Sequence, residues 1–249
     1  MVAIPERSDP TLRAIDEILE TQTNNQPPRN YIGASGIGDC ARKIWYRFHT
    51  EERETFDAPT IRRFNDGHRV EDVMAAHLRM VPGVTLWTHD TEGKQFGFTD
   101  GPFAGNYDGV ILGLLQAPTT PHLWECKATD EKKFNEFIKL RAEDEKTALQ
   151  KWNPIYYAQA VIYMHKAELT RHYLTVCTPG MRNYTSCRTE ANPVYATALI
   201  EKAKRIAVSK TPPERIGGPD WYACKWCGFY EICHKGAPFK LKAGVNTHA

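Results

Sequence analysis

The feature that most limits how this chain can fold is Cys224-Lys-Trp-Cys227-Gly-Phe-Tyr-Glu-Ile-Cys233, a C-x2-C-x5-C run among Trp221, Tyr222, Trp226, Phe229 and Tyr230. Thiolates this close repel one another and gain little by clustering unless a soft cation or an iron–sulfur core neutralises them. The run predicts a metal centre, and either a tetrahedral zinc or a four-iron cluster needs a fourth ligand. His234 adjoins the last cysteine, and Cys40 is the candidate from elsewhere in the chain. Cys40 lies in Ser35–Phe48, where the spacing predicts a helix capped by Ser35 with apolar positions at Ile37, Cys40, Ile44 and Phe48. On such a face it reads equally as a small core residue. As a ligand it joins the two ends of the chain in one clasp. Cys177 and Cys187 have no paired spacing and read as core thiols.

The cysteines number seven, and Glu6, Asp9, Asp16 and Glu17 stand where a signal peptide has a basic end and an apolar stretch. Both points argue for reduced thiols and a cytoplasmic protein rather than a disulfide framework. The longest apolar run, Val110 to Leu115, is interrupted by Gly113 and far short of a membrane span. With 32 Lys+Arg against 30 Asp+Glu in 249 residues, neither charge sign dominates, so any nucleic-acid partner must be held by a local basic patch.

Along the chain, Leu12, Ile15, Ile18 and Leu19 predict a short helix over 9–20, followed by a polar linker with Pro27-Pro28. Thr60–Met80 is a second helix, its stripe formed by Val70, Val73, Met74, His77 and Leu78 and its end set by Pro82-Gly83. Val84–Thr88, Phe103–Leu112 and Pro121–Lys127 predict three strands. A helical pattern from Asp144 to Ala167, restarted at Pro154, precedes a strand at Arg171–Cys177 and a helix at Val194–Val208. That order predicts an α/β domain with helices on the faces of a sheet.

Within the strands, Asp108 is a lone carboxylate in an apolar run, and Glu125 and Lys127 flank Cys126. Alternation puts Glu125 and Lys127 on one face and Cys126 on the other. If the strands are neighbours, Asp108 and Glu125 offer hard oxygen ligands for magnesium or manganese beside an ammonium; the plain alternative is a Glu–Lys ion pair on a sheet. His68 and Glu71 stand about 60° apart on their helix, using ~100° per residue. Gln159 and Tyr163 are neighbours at i and i+4.

The order His68, Asp108, Glu125-Cys126-Lys127, Gln159-x-x-x-Tyr163, enclosed by Cys40 and Cys224-x2-Cys227-x5-Cys233, resembles the PD-(D/E)XK nucleases of the RecB-like, Cas4-like branch that carry an iron–sulfur cluster. The resemblance spans about Ser35 to His234. It implies a restriction-endonuclease-like αβββαβ core with a central mixed sheet, flanking helices and a C-terminal cysteine clasp, preceded by a helix and linker (1–30) and followed by a tail (235–249). It implies that His68, Asp108, Glu125 and the backbone carbonyl of Cys126 hold Mg2+ or Mn2+, that Lys127 positions the attacking water, and that Gln159 and Tyr163 assist at the substrate. Glu71 has no settled place in the pattern and is expected just outside the ligand set. Cys40, Cys224, Cys227 and Cys233 are the implied ligands of a [4Fe–4S] cluster, with structural Zn2+ as the alternative.

The implied activity is metal-dependent DNA exonuclease action on single strands or duplex ends in phage or bacterial recombination, alone or with a recombination partner. Two alternatives are a CRISPR-adaptation nuclease with its partner protein, and an inactive DNA-binding protein on the same fold. Arg42, Lys43, Arg47, Arg62, Arg63 and Arg69 give basic surface near the motif helices that reads either as a DNA-facing patch, with Trp45 and Tyr46 stacking on bases, or equally as a solvated helix face.

Overall fold

The computed structural model describes residues 9–243; residues 1–8 and 244–249, the outer parts of the two expected terminal segments, lie outside them. The chain runs α1 (Pro10–Asn24), β1 (Ile32–Gly33), α2 (Ala41–His49), α3 (Ala58–Arg79), β2 (Thr85–Trp87), β3 (Gly97–Asp100), β4 (Phe103–Asn106), β5 (Gly109–Leu112) and β6 (His122–Ala128). It continues through α4 (Glu131–Glu143), α5 (Glu145–Trp152), α6 (Pro154–Lys166), β7 (Arg171–Cys177), β8 (Tyr184–Glu190), α7 (Pro193–Val208), α8 (Tyr222–Lys225) and α9 (Tyr230–His234). The result is a mixed α/β fold with two sheets, ordered β1-β4-β3 and β2-β5-β6-β7-β8. In the larger sheet β6 and β7 are parallel and the other pairs antiparallel. A parallel pair needs a long crossover, and α4 to α6 supply it.

Alternation along β6 sorts the two cores. Trp124 and Cys126 pack with Val70 and Met74 of α3, Leu86 and Ile111, whereas Leu123 joins the cluster built on α2, α6 and α7. Caps set the helix starts: Asp57 accepts from Thr60 N, and Asn153 accepts from Ile155 N and Tyr156 N at the Pro154 restart, each such cap contributing about 1 kcal/mol. No described helix is long and apolar enough to cross a membrane.

Five expectations change. The strand expected over Phe103–Leu112 is two strands in different sheets, because the chain leaves the small sheet after Asn106 and joins the large one at Gly109. A Cβ at Gly109 would lie 2.5 Å from the Trp87 carbonyl oxygen, so this entry accepts only glycine. The helix expected from Ser35 begins at Ala41 instead, with Cys40 as its N-cap. Gly38 abuts α6, where a Cβ would come within 2.8 Å of Ala158 Cβ and Ile155 Cα, and the chain turns there instead of winding. Trp45 and Tyr46, each 1% exposed, are core residues unable to meet a base; Trp45 Nε1 donates to Ser209 O. The stripe on α3 narrows to Val70, Met74 and half-buried Leu78, leaving Val73 and His77 outside it. Helix α4 and strand β3 have no counterpart in the expected elements.

Candidate active site

The C-terminal half of β6 emerges between α3 and α6, and there the chain gathers its buried charge. Glu125 is 2% exposed; its Oε2 accepts from Lys127 Nζ at 2.8 Å and from Gln159 Nε2 of α6 at 3.0 Å. Asp108, in the gap between β4 and β5, accepts from Cys126 N through Oδ2 at 2.8 Å. The sheet switch at 107–108 thus carries this carboxylate to the β6 backbone. Asp108, Lys127, Glu71, His68, Cys126 and Tyr156 line one open cleft. Glu125 and Gln159 lie behind Lys127.

Three carboxylates here face one ammonium. Burial, reinforced by the Asp108 charge, pushes Glu125 up to about 8 and Glu71 up to about 7. Burial opposes the charge on Lys127, but Glu125 and Asp108 outweigh it and hold the amine above its usual range. The formal excess of two negative charges is what one divalent cation neutralises. Glu125 Oε1 is buried with no hydrogen-bond partner among the described residues, which fits an oxygen meant for a cation. Among those residues, no three His, Cys, Asp or Glu side chains stand as a preassembled metal-holding group.

His68 is exposed in the cleft wall, and Glu71, expected at the margin, lies in the electrostatic field of Asp108 and Lys127. Tyr163 does not line the cleft: it is 1% exposed and packs against Phe98 and Tyr107. The sequence reading missed Tyr156, whose ring lies 5.3 Å from Lys127 Nζ. Its signal was the i, i+3 spacing to Gln159.

The expected DNA-facing cations are mostly occupied. Lys43 and Arg47 pair with Glu54, Arg62 with Asp16 and Arg69 with Asp66, and Arg42 donates to the Pro213 carbonyl.

A second, small cavity is lined by Cys40, Cys224, Cys227 and Cys233, with Arg42 and His234 in its wall. Burial, then the Cys233 and Cys40 charges, raise the Cys224 thiol. Arg42 Nε and His234 Nε2 are buried there with no partner among the described residues. The donor set suits zinc or an iron–sulfur core chemically, although the thiols are not drawn together as a ready ligand set.

No family model matches the chain, and no curated protein matches it. Solved structures do. SSO0001 is 15% identical with a TM-score of 0.48, covering 92% of this chain and 97% of that one. The alkaline exonuclease LHK-Exo from Laribacter hongkongensis is 13% identical with a TM-score of 0.48, covering 76% and 90%. A phage-related exonuclease from Haemophilus somnus is 11% identical with a TM-score of 0.42, covering 58% and 68%. At these scores the functional reading rests on the side chains of this chain alone.

Proposed function

We infer that this chain is a metal-dependent DNA exonuclease with a PD-(D/E)XK-type, restriction-endonuclease-like core of the RecB-like, Cas4-like kind. The observation that carries this is Glu125: a buried carboxylate with one oxygen tied to Lys127 and Gln159 and the other unpartnered, beside Asp108 at the mouth of an open cleft. An ordinary Glu–Lys pair on a sheet has no need of a second carboxylate, an orphaned oxygen or an exit to solvent.

Asp108 and Glu125 would hold Mg2+ or Mn2+, with Glu71 and His68 in the cleft wall and the Cys126 carbonyl completing the set. When bound, the ion supplies Lewis-acid polarisation of a phosphate oxygen and a lowered pKa for water. Lys127 has two tasks in the chain: its charge restrains the Glu125 carboxylate, and its amine faces the cleft, where it can orient a water for in-line attack. Gln159 holds Glu125 Oε2 in place. The Tyr156 ring lies 5.3 Å from the ammonium, in cation–π range. Cys40, Cys224, Cys227 and Cys233 would hold a structural [4Fe–4S] cluster, with zinc as the alternative; their convergence on one cavity supports a clasp between α2 and the C-terminal segment.

The test is anaerobic purification and a magnesium-dependent assay on end-labelled single- and double-stranded DNA, with Lys127→Ala beside the wild type. Stepwise shortening by the wild type, reduced on the order of 10²–10³ in the variant, is expected. Equal hydrolysis by both proteins, or none by the wild type, overturns the assignment.

A further inference from the structure

The end of α1, the start of α3 and the segments beside them, with Arg29 and Phe56, also line the cleft, and their chemistry differs from that of the carboxylates. Phe64 is 46% exposed there and meets Phe56 edge-on, ring centroids 5.1 Å apart at 82°. Both rings line the same cleft as Asp108 and Lys127. Arg63 and Arg29 line it too, and among the described residues neither guanidinium has a carboxylate within ion-pair distance, unlike Arg62 and Arg69 on the same helix.

The platform is held in place. Asn24, the last residue of α1, accepts from Phe56 N and donates to Phe56 O, both at 3.0 Å. Glu20 accepts from Ala58 N at 2.8 Å, and Arg62 pairs with Asp16. Helix α1, with no buried residue of its own, thus fixes the segment that carries the aromatic pair.

The geometry points to Phe64, supported by Phe56, as a base-stacking platform for an unpaired strand, with Arg63 and Arg29 holding its phosphates on the way to Lys127. This rests on the nuclease reading and adds the substrate class: single-stranded nucleic acid. Arg63 Nη2 donates to Thr60 Oγ1 at 2.6 Å and Arg29 lies over the Tyr31 ring, so both keep their charge without a carboxylate partner among the described residues. A bare aromatic face in a cleft with such guanidiniums matches a polyanion that has exposed π-faces. In a duplex those faces are occupied by neighbouring bases, so the platform selects unpaired nucleotides.

The experiment measures binding of a labelled oligothymidylate, an abasic strand of equal length and a blunt duplex, with calcium replacing magnesium to keep the strands intact. Phe64→Ala should weaken the oligothymidylate roughly 5- to 150-fold, the range for loss of one base–aromatic stack. It should leave the abasic strand and the duplex unchanged, and Phe64→Tyr should retain wild-type affinity. Arg63→Gln should weaken all three probes and lower the salt slope by about one. Because Phe64 is exposed, its truncation opens no core cavity, and an unchanged thermal melt checks this. Unchanged oligothymidylate affinity in Phe64→Ala, or equal weakening of the abasic strand, overturns the platform while leaving the Lys127 assay standing. A wild type that binds the oligothymidylate through Phe64 yet hydrolyses no DNA would remove the nuclease reading and leave the platform intact.

Discussion

Glu125 and Lys127 stand on same-side positions of a seven-residue strand paired along both edges, whereas the four cysteines stand on the cap of α2, on two helices of four and five residues, and on the turn between those helices. The surroundings differ as much. Glu125 is enclosed by α6 and the sheet, while Trp226, between Cys224 and Cys227, is 85% exposed. A regular sheet can hold like charges together against their repulsion because its backbone is satisfied and its side chains are packed on both faces. Short helices and turns offer no such frame, so four thiolates in the cysteine cavity would need a neutralising group far more than the carboxylates of the cleft would.

The largest expected effect is at the cleft. Lys127→Ala should lower turnover on the order of 10²–10³ while keeping Mn2+ affinity, since it removes a positive charge from beside the carboxylates. Asp108→Ala should lose both turnover and Mn2+ affinity. Calorimetric titration with Mn2+ separates the two, and equal affinities would erase the division of labour between amine and carboxylate.

Proton competition comes next. With Glu125 pushed up to about 8 and Glu71 to about 7, both hold protons at pH 6 that a cation must displace. Mn2+ affinity should therefore climb as pH rises from 6 to 9, by at most about tenfold per unit for each proton released. Metal-free stability moves the other way. The folded state keeps protons that the unfolded chain releases near 4.5, so this contribution is full below that pH and is lost as pH rises through 7 and 8. A metal-free Tm that rises between pH 5 and 8, after allowance for other titrating groups, would contradict the burial assigned to Glu125.

If the four cysteines hold iron or zinc as proposed, Cys227→Ser should abolish the bound metal and lower Tm by several degrees, because the free energy of binding at such a site is folding free energy. Metal analysis with calorimetry reads both. A variant with unchanged metal content would show that the clasp closes without that thiol.

The smallest contrast concerns glycines. A Cβ at Gly105 would lie 2.8 Å from Ala34 Cβ and from the Tyr163 hydroxyl, in packed core, so Gly105→Ala should cost about 1–3 kcal/mol. At Gly228 the added carbon meets only atoms of the Glu54 side chain, Cγ at 2.5 Å and Cβ at 3.2 Å, which must yield against its ion pairs with the partly exposed Lys43 and Arg47. Gly228→Ala should cost under about 1 kcal/mol. Equal losses in thermal denaturation would mean that the two regions are equally rigid.

Much of the cleft was legible because it obeys local periods. Strand alternation puts Glu125 beside Lys127, and helical spacing makes neighbours of Gln159 and Tyr163, although α6 is buried all round from Tyr157 to Met164. Asp108 stood out as a carboxylate in an apolar run, and Gly105-Asn106 and Asp108-Gly109 were the turn signals that mark the change of sheet at 107–108. Cys40, a candidate partner for the C-terminal run, lines one cavity with it, but its place as an N-cap was not legible, because Gly38 turns the chain through a contact with α6. Trp45 and Tyr46 looked available for bases because helical periodicity marks one buried face, whereas α2 is covered by α7 and by Phe229 and Phe239 together.

The sequence by itself determined which side chains could share a face: one strand's Glu and Lys, one helix's Gln and Tyr, one run's cysteines. Those relations depend on the backbone repeat and survive any packing. Only the tertiary structure decided that Asp108 reaches the β6 backbone, that Tyr163 is enclosed while Tyr156 meets Lys127, and that Phe64 rather than Trp45 faces the cleft. Each of those outcomes depends on which distant elements exclude water from a residue, a quantity set by the assembled fold and carried by no local stretch of chain.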